Sequence, residues 1–252
     1  MTDSTHERRP GLDTVTLAEA KKLPLEVLQA WGVRDSRYSG STRVEIPYTD
    51  TEGNTVAVRY RVSLNGDQKF YWRTGGHINL YGLSRLQKVR ELGHVLLVEG
   101  ESDTWTAWLH GLPALGIPGK AMWRSEWAKH VKGLDVYLWQ EPEASDLSLQ
   151  VSRDIPDLKI IRAPAEFKDI SEAHIQGRDV VALVEKCRRL AVPAGEINRA
   201  ELEAGLVILR EQAEIVMGAE DPLLLVEEAI RSLGLGGDVT PAIITYLSVT
   251  SR

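Results

Sequence analysis

Runs of consecutive apolar residues, each followed by a polar turn and a helical pattern, recur through the middle of the chain. The first run places Val95-Leu96-Leu97-Val98 between His94 and Glu99. Three further runs follow, at 113–119, 135–140 and 158–164, with helical patterns between them near 104–110, 123–131 and 145–153. Strands buried on both faces of a parallel sheet have such apolar runs. The alternation therefore predicts an α/β fold with a Rossmann-like, four-stranded parallel sheet.

Upstream, apolar and polar residues alternate instead of forming runs. Segments 43–48, 56–62 and 69–73 are separated by turn sequences at 50–54 and 65–67, which predicts a small antiparallel β subdomain. On the middle strand, Arg59 and Arg61 share the face opposite Val58 and Tyr60. Basic residues interleaved with aromatic ones suit a nucleic-acid backbone and stacked bases, although an ordinary solvated sheet face has the same pattern.

Helical patterns occupy both ends of the chain. Two short helices are predicted between Thr14 and Trp31, with Pro24 opening the second. After Ile170 the pattern is entirely helical, with helices at 200–216, at 222–233 and from Pro241 onward. The predicted organisation is a tail with short helices (1–35), a basic β-rich subdomain (36–92), the parallel α/β domain (93–170) and a helical C-terminal region (171–252).

Composition narrows the class of protein. The 252 residues are 43% hydrophobic and 26% charged, which is typical of a globular chain. No apolar run is long enough to cross a membrane, and the N-terminus lacks a signal-peptide core, so we expect a cytoplasmic protein without a membrane partner. The single cysteine, Cys187, excludes disulfide frameworks and cysteine zinc ribbons. Its helical spacing predicts a packed thiol.

Charge is distributed unevenly along the chain. The net charge is −6, but residues 34–90 carry ten basic and five acidic residues, a net charge of +5. Residues 196–252 carry ten acidic residues and four arginines. The asymmetry indicates a polyanion-binding surface on the first segment only. The acidic C-terminal region has two open explanations, a docking surface or a solvated helix face.

Acidic residues follow three of the predicted parallel strands. Glu99 ends the first strand and Asp103 lies in the first turn of the next helix, for which Ser102 is the predicted N-cap. Glu141 and Glu143 follow the third strand, and Asp169 follows the fourth. Carboxyl ends of parallel strands meet at one edge of the sheet. Clustered carboxylates repel one another unless a cation lies between them, which predicts a site for Mg²⁺ or Mn²⁺.

These motifs resemble those of a known domain. Val98–Asp103, Gly111–Gly116 and Lys168-Asp169 are similar to the TOPRIM domain of bacterial primases, topoisomerases and overcoming-lysogenization-defect-type nucleases. The upstream strands, together with Leu80–Leu83, resemble the basic subdomain that precedes TOPRIM in primases. The resemblance spans roughly residues 40–175 and is strongest to the bacterial-type primase core of phage and mobile-element primase-helicases.

The resemblance implies roles for individual residues. Glu99 would support catalysis or a metal with Asp103 as its companion, and Glu141 and Glu143 stand where the family has Asp-x-Asp. The implied metal ligands are Glu99, Glu141, Glu143 and Asp169. Template or nucleotide phosphates would be held by six basic residues, Arg43, Arg59, Arg61, Lys69, Arg73 and Lys168.

The chain departs from the primase pattern in several places. Glutamate replaces aspartate at 141 and 143, Ser171 stands where another acid is frequent, and no zinc ribbon is present. No Gly-x-x-x-x-Gly-Lys loop is present, so a helicase motor is expected on another chain or beyond Arg252.

The resemblance implies primer synthesis on single-stranded DNA from nucleoside triphosphates by metal-dependent phosphoryl transfer. Two alternatives stay open at this point. One is a nuclease that uses the same metal site, and the other is a catalytically degenerate module that only binds single-stranded DNA.

Overall fold

A computed structural model describes residues 11–66, 68–119, 122–141 and 145–250. Tertiary contacts divide the chain into two units that meet between Ile197 and Asn198. The predicted domain boundaries at residues 35, 92 and 170 all lie within the first unit. They stay predictions. Within the described residues, every helix is too short or too polar to span a lipid bilayer.

The first unit begins with two helices and an antiparallel sheet. Helices α1 (Thr14–Lys21) and α2 (Leu25–Ala30) confirm the predicted pair, with Pro24 as the N-cap of α2. The sheet has the order β1-β2-β3-β4, and its strands are β1 (Arg34–Tyr38), β2 (Ser41–Thr49), β3 (Thr55–Arg61) and β4 (Phe70–Trp72). The predicted hairpin is β2 and β3. Strand β1 was not predicted, because its polar sequence lacks an apolar alternation.

The second sheet is mostly parallel, as predicted. A 3₁₀ turn at Leu83–Arg85 leads into α3, and the elements then alternate as α3 (Leu86–Leu92), β5 (His94–Glu99), α4 (Gly100–Leu109), β6 (Ala114–Ile117), α5 (Ala128–Val131), β7 (Asp135–Gln140), α6 (Ser145–Asp154) and β8 (Lys159–Arg162). Strands β6, β5, β7 and β8 are parallel neighbours in that order. The side chains of β5 pack on both sides, with Leu96 and Val98 in one apolar cluster and Val95 and Leu97 in another.

The chain after Ile170 is not entirely helical, which corrects the sequence prediction. Helices α7 (Ile170–Ile175) and α8 (Val180–Arg189) are followed by β9 (Val192–Pro193), which pairs antiparallel with β8 as a fifth strand. A two-residue strand is too short to produce a periodic signal. Cys187 on α8 is buried, as expected for a packed thiol.

The remaining helices are α9 (Ala194–Met217), α10 (Pro222–Ser232) and α11 (Thr240–Thr250). Most of α9 and all of α10 and α11 belong to the second unit, in which α10 contacts α11. The helical character predicted for these segments is confirmed. Helix α9 begins six residues before the predicted start at Ala200.

The start of α4 also differs from the prediction. Ser102 is not the N-cap, because the helix begins at Gly100 and Glu99 itself is the capping residue. Gly100 adopts a positive φ of 77°, which allows the chain to turn directly from strand into helix. Glu101 and Asp103 consequently both lie in the first helical turn.

Candidate metal centre and basic interface

Three acidic side chains converge at the carboxyl edge of the parallel sheet. Asp103 comes from the first turn of α4, Glu141 follows β7 directly, and Asp169 is the N-cap of α7. One carboxylate oxygen from each lies within 4.8 Å of the others. The convergence expected of parallel strand ends is therefore present for these three acids.

Backbone amides orient two of these carboxylates. Asp103 Oδ1 accepts a hydrogen bond from the Ser171 N–H at 2.7 Å, and Asp169 Oδ1 accepts one from the Glu172 N–H at 2.7 Å. Ser171 is buried and lies at the start of α7, so its amide links that helix to α4. The site is thus held by the packing of α4 against α7.

The cluster is electrostatically strained. Burial, and then repulsion from Asp169, raise the pKa of Asp103 well above its usual value; repulsion from Glu141 adds to the rise, and the Ser171 N–H opposes it. The Lys21 ammonium from α1 donates to Ser171 Oγ at 3.4 Å. Burial, followed by repulsion from Arg61, lowers the pKa of Lys21, and Asp103 and Asp169 oppose that shift. Sequence reasoning missed Lys21, because its helix is distant in sequence.

The donor set fits a hard divalent cation. Mg²⁺ and Mn²⁺ prefer carboxylate oxygens, and all three converging groups are carboxylates. A cation would relieve the repulsion that raises the pKa of Asp103. Lys168 Nζ lies 3.6 Å from Asp169 Oδ2, but its side chain is 64% exposed and free to rotate away.

The other predicted acids lie differently. Glu99 ends β5 and is not one of the three acids that meet within 4.8 Å among the described residues. Asp103 takes part in that cluster instead, although the resemblance implied for it a catalytic role beside Glu99 and not that of a metal ligand. Glu143 lies outside the described residues, so its predicted role stays a prediction.

The predicted phosphate-binding residues of the antiparallel sheet fall on its two opposite faces. Arg59 and Arg61 alternate with Tyr60 along β3 and point toward α4, where both are largely buried. Arg61 Nη1 donates to Ser102 Oγ at 3.3 Å. Arg43, by contrast, stacks on Tyr60 on the other face. The sheet therefore does not present a single basic surface.

Arg59 is engaged inside the protein. Its Nη1 donates to Glu101 Oε1 at 2.9 Å and to the Pro118 carbonyl at 2.7 Å, while the Tyr48 hydroxyl donates to the same Glu101 oxygen at 2.6 Å. Glu101 is 3% exposed. Sequence reasoning missed Glu101, although its spacing of four from Trp105 places both on one helix face. This network joins the antiparallel sheet to the parallel one.

Sequence comparisons were made with family models and with individual proteins. No family model matches the chain. It is 28% identical over 137 residues to the Gene 57 protein of Mycobacterium phage D29, a match that covers 53% of this chain and 87% of that protein.

Solved primase structures have the same fold. The DnaG primase catalytic domain bound to ssDNA matches with a TM-score of 0.61, 15% identity and 75% coverage of both chains. The E. coli primase catalytic core matches with a TM-score of 0.60, 15% identity and coverage of 75% of this chain and 76% of that one. The primase fragment of the bacteriophage T7 primase-helicase has a TM-score of 0.52 and 18% identity, over 68% of this chain and 72% of that one. The chain thus has the mixed α/β fold of primase catalytic cores, as its sequence motifs indicated.

Proposed function

We propose that this chain is a TOPRIM-type primase that makes primers on a single-stranded DNA template from nucleoside triphosphates. The observation that carries the proposal is the convergence of Asp103, Glu141 and Asp169 at the carboxyl edge of a parallel sheet. The similarity in fold to primase catalytic cores supports it.

The proposed metal ligands are Asp103, Glu141 and Asp169. A bound Mg²⁺ or Mn²⁺ would neutralise charge on the triphosphate as a 3′-hydroxyl attacks the α-phosphate and pyrophosphate leaves. The Ser171 and Glu172 amides hold one oxygen of each aspartate, which limits the rotation of both carboxylates. Glu99, at the adjacent strand end, keeps the supporting role that the resemblance implies.

Cations beside the cluster are suited to bind the substrate phosphates. Lys168 lies next to Asp169 with an exposed side chain, and Lys21 of α1 also approaches the acids. Arg61 is buried and donates to Ser102 Oγ and to the Leu64 carbonyl, so it is assigned a structural part. Arg59 is assigned a structural part in this proposal, because Glu101 and Pro118 already take its hydrogen bonds. The T7 match is a fragment of a primase-helicase. That relationship supports a helicase motor, on this polypeptide or another, as the partner.

The test is a primer-synthesis assay on a single-stranded DNA template with labelled nucleoside triphosphates. Wild-type protein is expected to make oligomers that require Mg²⁺ or Mn²⁺. Asp169→Asn should reduce their yield by about a hundredfold or more, because it removes a charged ligand. Glu99→Gln should also lose most of the activity.

Asp157→Asn is the matched control. Asp157 is exposed and lies before β8, at the opposite edge of the sheet from the acids, so this variant should retain wild-type activity. Undiminished synthesis by Asp169→Asn would refute the proposed metal site. Cleavage of DNA without added nucleotides would instead support the nuclease.

One observation favours the alternative of a catalytically silent DNA-binding module. Two lysine ammoniums, those of Lys21 and Lys168, lie close enough to the acids to compensate part of their charge. In that case the affinity for DNA would fall as the salt concentration rises and would not depend on Mg²⁺. Lys168→Ala should impair synthesis if Lys168 binds a substrate phosphate, whereas a silent module makes no primers with or without this change.

A further inference from the structure

Helix α9 exposes apolar side chains along one side. Leu202, Leu206 and Leu209 are 64%, 53% and 60% exposed, and Ala213 is also exposed. We refer to these four residues as the α9 stripe. An isolated helix is only marginally stable in water, and most helices in proteins are stabilised by the packing of their apolar face. A helix of 24 residues that exposes such a stripe therefore has the character of a surface that another helix covers.

The second unit, Asn198–Arg252, has little apolar core of its own. Of the apolar side chains that the structure describes there, only that of Val239 is buried. Helix α10 contacts α11, and among the described residues neither makes an extensive contact with α9. A domain of about 60 residues normally buries about 60% of the surface that its unfolded chain exposes. The second unit therefore needs an association that buries more apolar surface.

The spacing of the α9 stripe suits the packing of one helix against another. Its members are separated by four, three and four residues, which keeps all of them within about 60° around the helix axis. Helices that pack side by side over several turns have apolar residues at this spacing. Val207 and Ile208 are each 56% exposed but lie on the opposite side of the helix, outside the stripe.

The charges beside the α9 stripe are complementary to those of a second copy of the chain. Glu203 and Arg210 flank the stripe on the same side, seven residues apart. In an antiparallel pair with two-fold symmetry, this flank of one helix meets the same flank of the other. Glu203 of each copy then approaches Arg210 of the other copy. Within one chain, Glu203 Oε1 lies 4.0 Å from Arg199 Nε and both side chains are at least 70% exposed, so that weak contact is easily exchanged.

The same two-fold arrangement also matches the apolar side chains. When Glu203 approaches Arg210 of the other copy, Leu206 lies opposite Leu209 of that copy, and Leu202 lies opposite Ala213. The centre of the interface is therefore formed by leucines from both helices, and a large residue meets a small one at each end. One operation satisfies both the apolar residues and the charges.

We propose that the chain forms a homodimer in which the α9 stripes of two copies pack antiparallel. Helix α9 has 24 residues and is about 36 Å long. Two helices of this length bury an area at the low end of the range for specific interfaces, so the dissociation constant is on the order of 10 µM. The dimer uses no residue of the metal centre and does not depend on the proposed enzymatic activity.

The test is sedimentation velocity of the full chain at concentrations from about 1 to 100 µM, which bracket the expected dissociation constant. Wild type should change from monomer to dimer across this range. Leu206→Glu places a charge in the stripe and should stay monomeric. Ile208→Glu is the matched control, because this side chain is as exposed as that of Leu206 but lies on the opposite side, and it should dimerise like wild type. A monomeric wild type, or equal effects of the two variants, would overturn the proposal.

Charge reversal tests the antiparallel arrangement without changing the stripe. Glu203→Arg alone and Arg210→Glu alone each bring like charges together twice, and each should weaken dimerisation about tenfold. An equimolar mixture of the two variants restores both ion pairs in a heterodimer and should associate like wild type. Circular dichroism of each variant checks that helix content is unchanged. Two variants that dimerise as well as wild type, or a mixture that associates no better than its components, would refute the arrangement.

Discussion

Arg59 Nη1 lies 2.9 Å from Glu101 Oε1, and this buried ion pair joins strand β3 of the antiparallel sheet to helix α4 of the parallel domain. The side chains are 13% and 3% exposed, respectively. The Tyr48 hydroxyl donates a hydrogen bond to the same oxygen, and burial together with the Glu101 charge raises the pKa of Tyr48 well above its usual value. The pair therefore sets how the basic subdomain sits against the helix that carries Asp103.

Breaking this pair on one side should be costly. Arg59→Ala leaves the Glu101 carboxylate buried without its cation, and we expect the free energy of unfolding to fall by about 3–5 kcal/mol. Urea denaturation followed by tryptophan fluorescence measures the loss. The double variant Arg59→Met with Glu101→Gln should recover most of it, because no buried charge remains. If the double variant is as unstable as the single one, charge burial is not the cause.

Asp103→Asn should stabilise the metal-free protein while abolishing primer synthesis. The pKa of Asp103 is raised in the folded state, so its contribution to stability falls as the pH rises above the unfolded value of about 3.9. Asparagine removes that penalty at neutral pH and still accepts the Ser171 hydrogen bond. We therefore expect a higher Tm for Asp103→Asn than for wild type when both are measured in EDTA. A lower Tm in EDTA would contradict the strain assigned to this cluster.

Stabilisation by Mg²⁺ should depend on pH. Metal binding requires ionised carboxylates, and a raised pKa keeps Asp103 protonated at a higher pH than an ordinary aspartate. The Mg²⁺-induced increase in Tm should therefore shrink as the pH is lowered from neutral, when it is measured at constant protein concentration. Asp103→Asn should show a small increase at every pH. A wild-type increase that does not change with pH would show that Asp103 does not titrate on metal binding.

Gly116→Ala should destabilise the packing of β6 against α4 and Tyr81. A Cβ at Gly116 would lie 2.5 Å from Thr104 Oγ1 and 3.0 Å from both Gly100 O and Tyr81 Cβ. Gly116 also exchanges backbone hydrogen bonds with Tyr81, at 2.7 and 3.0 Å. We expect a loss of about 1–3 kcal/mol in thermal or urea unfolding. Gly195→Ala, where nothing lies within 4 Å of the added Cβ, is the control and should be close to neutral.

Sequence patterns predicted the parallel sheet well because its strands are buried on both faces. Strands β5 and β7 match the predicted 94–99 and 135–140 runs in full. The sequence patterns did not predict β1. Its sequence, Arg34-Asp35-Ser36-Arg37-Tyr38, is that of a polar edge strand, which is held in place by its pairing with β2. Edge strands bury little side chain, so they need no apolar alternation.

The sequence by itself determined the order of the four parallel strands and of the helices between them, and it located the acids that follow those strands. Both depend on local runs of apolar and polar residues. Only the tertiary structure decided that Asp103 lies beside Glu141 and Asp169, and that Arg59 forms an ion pair with Glu101. Those outcomes depend on distances between α4, α7 and β3, which are far apart in the chain. Local patterns of apolar and polar residues indicate which face of a strand or helix a side chain lies on. The packing between elements decides which other side chains it contacts there.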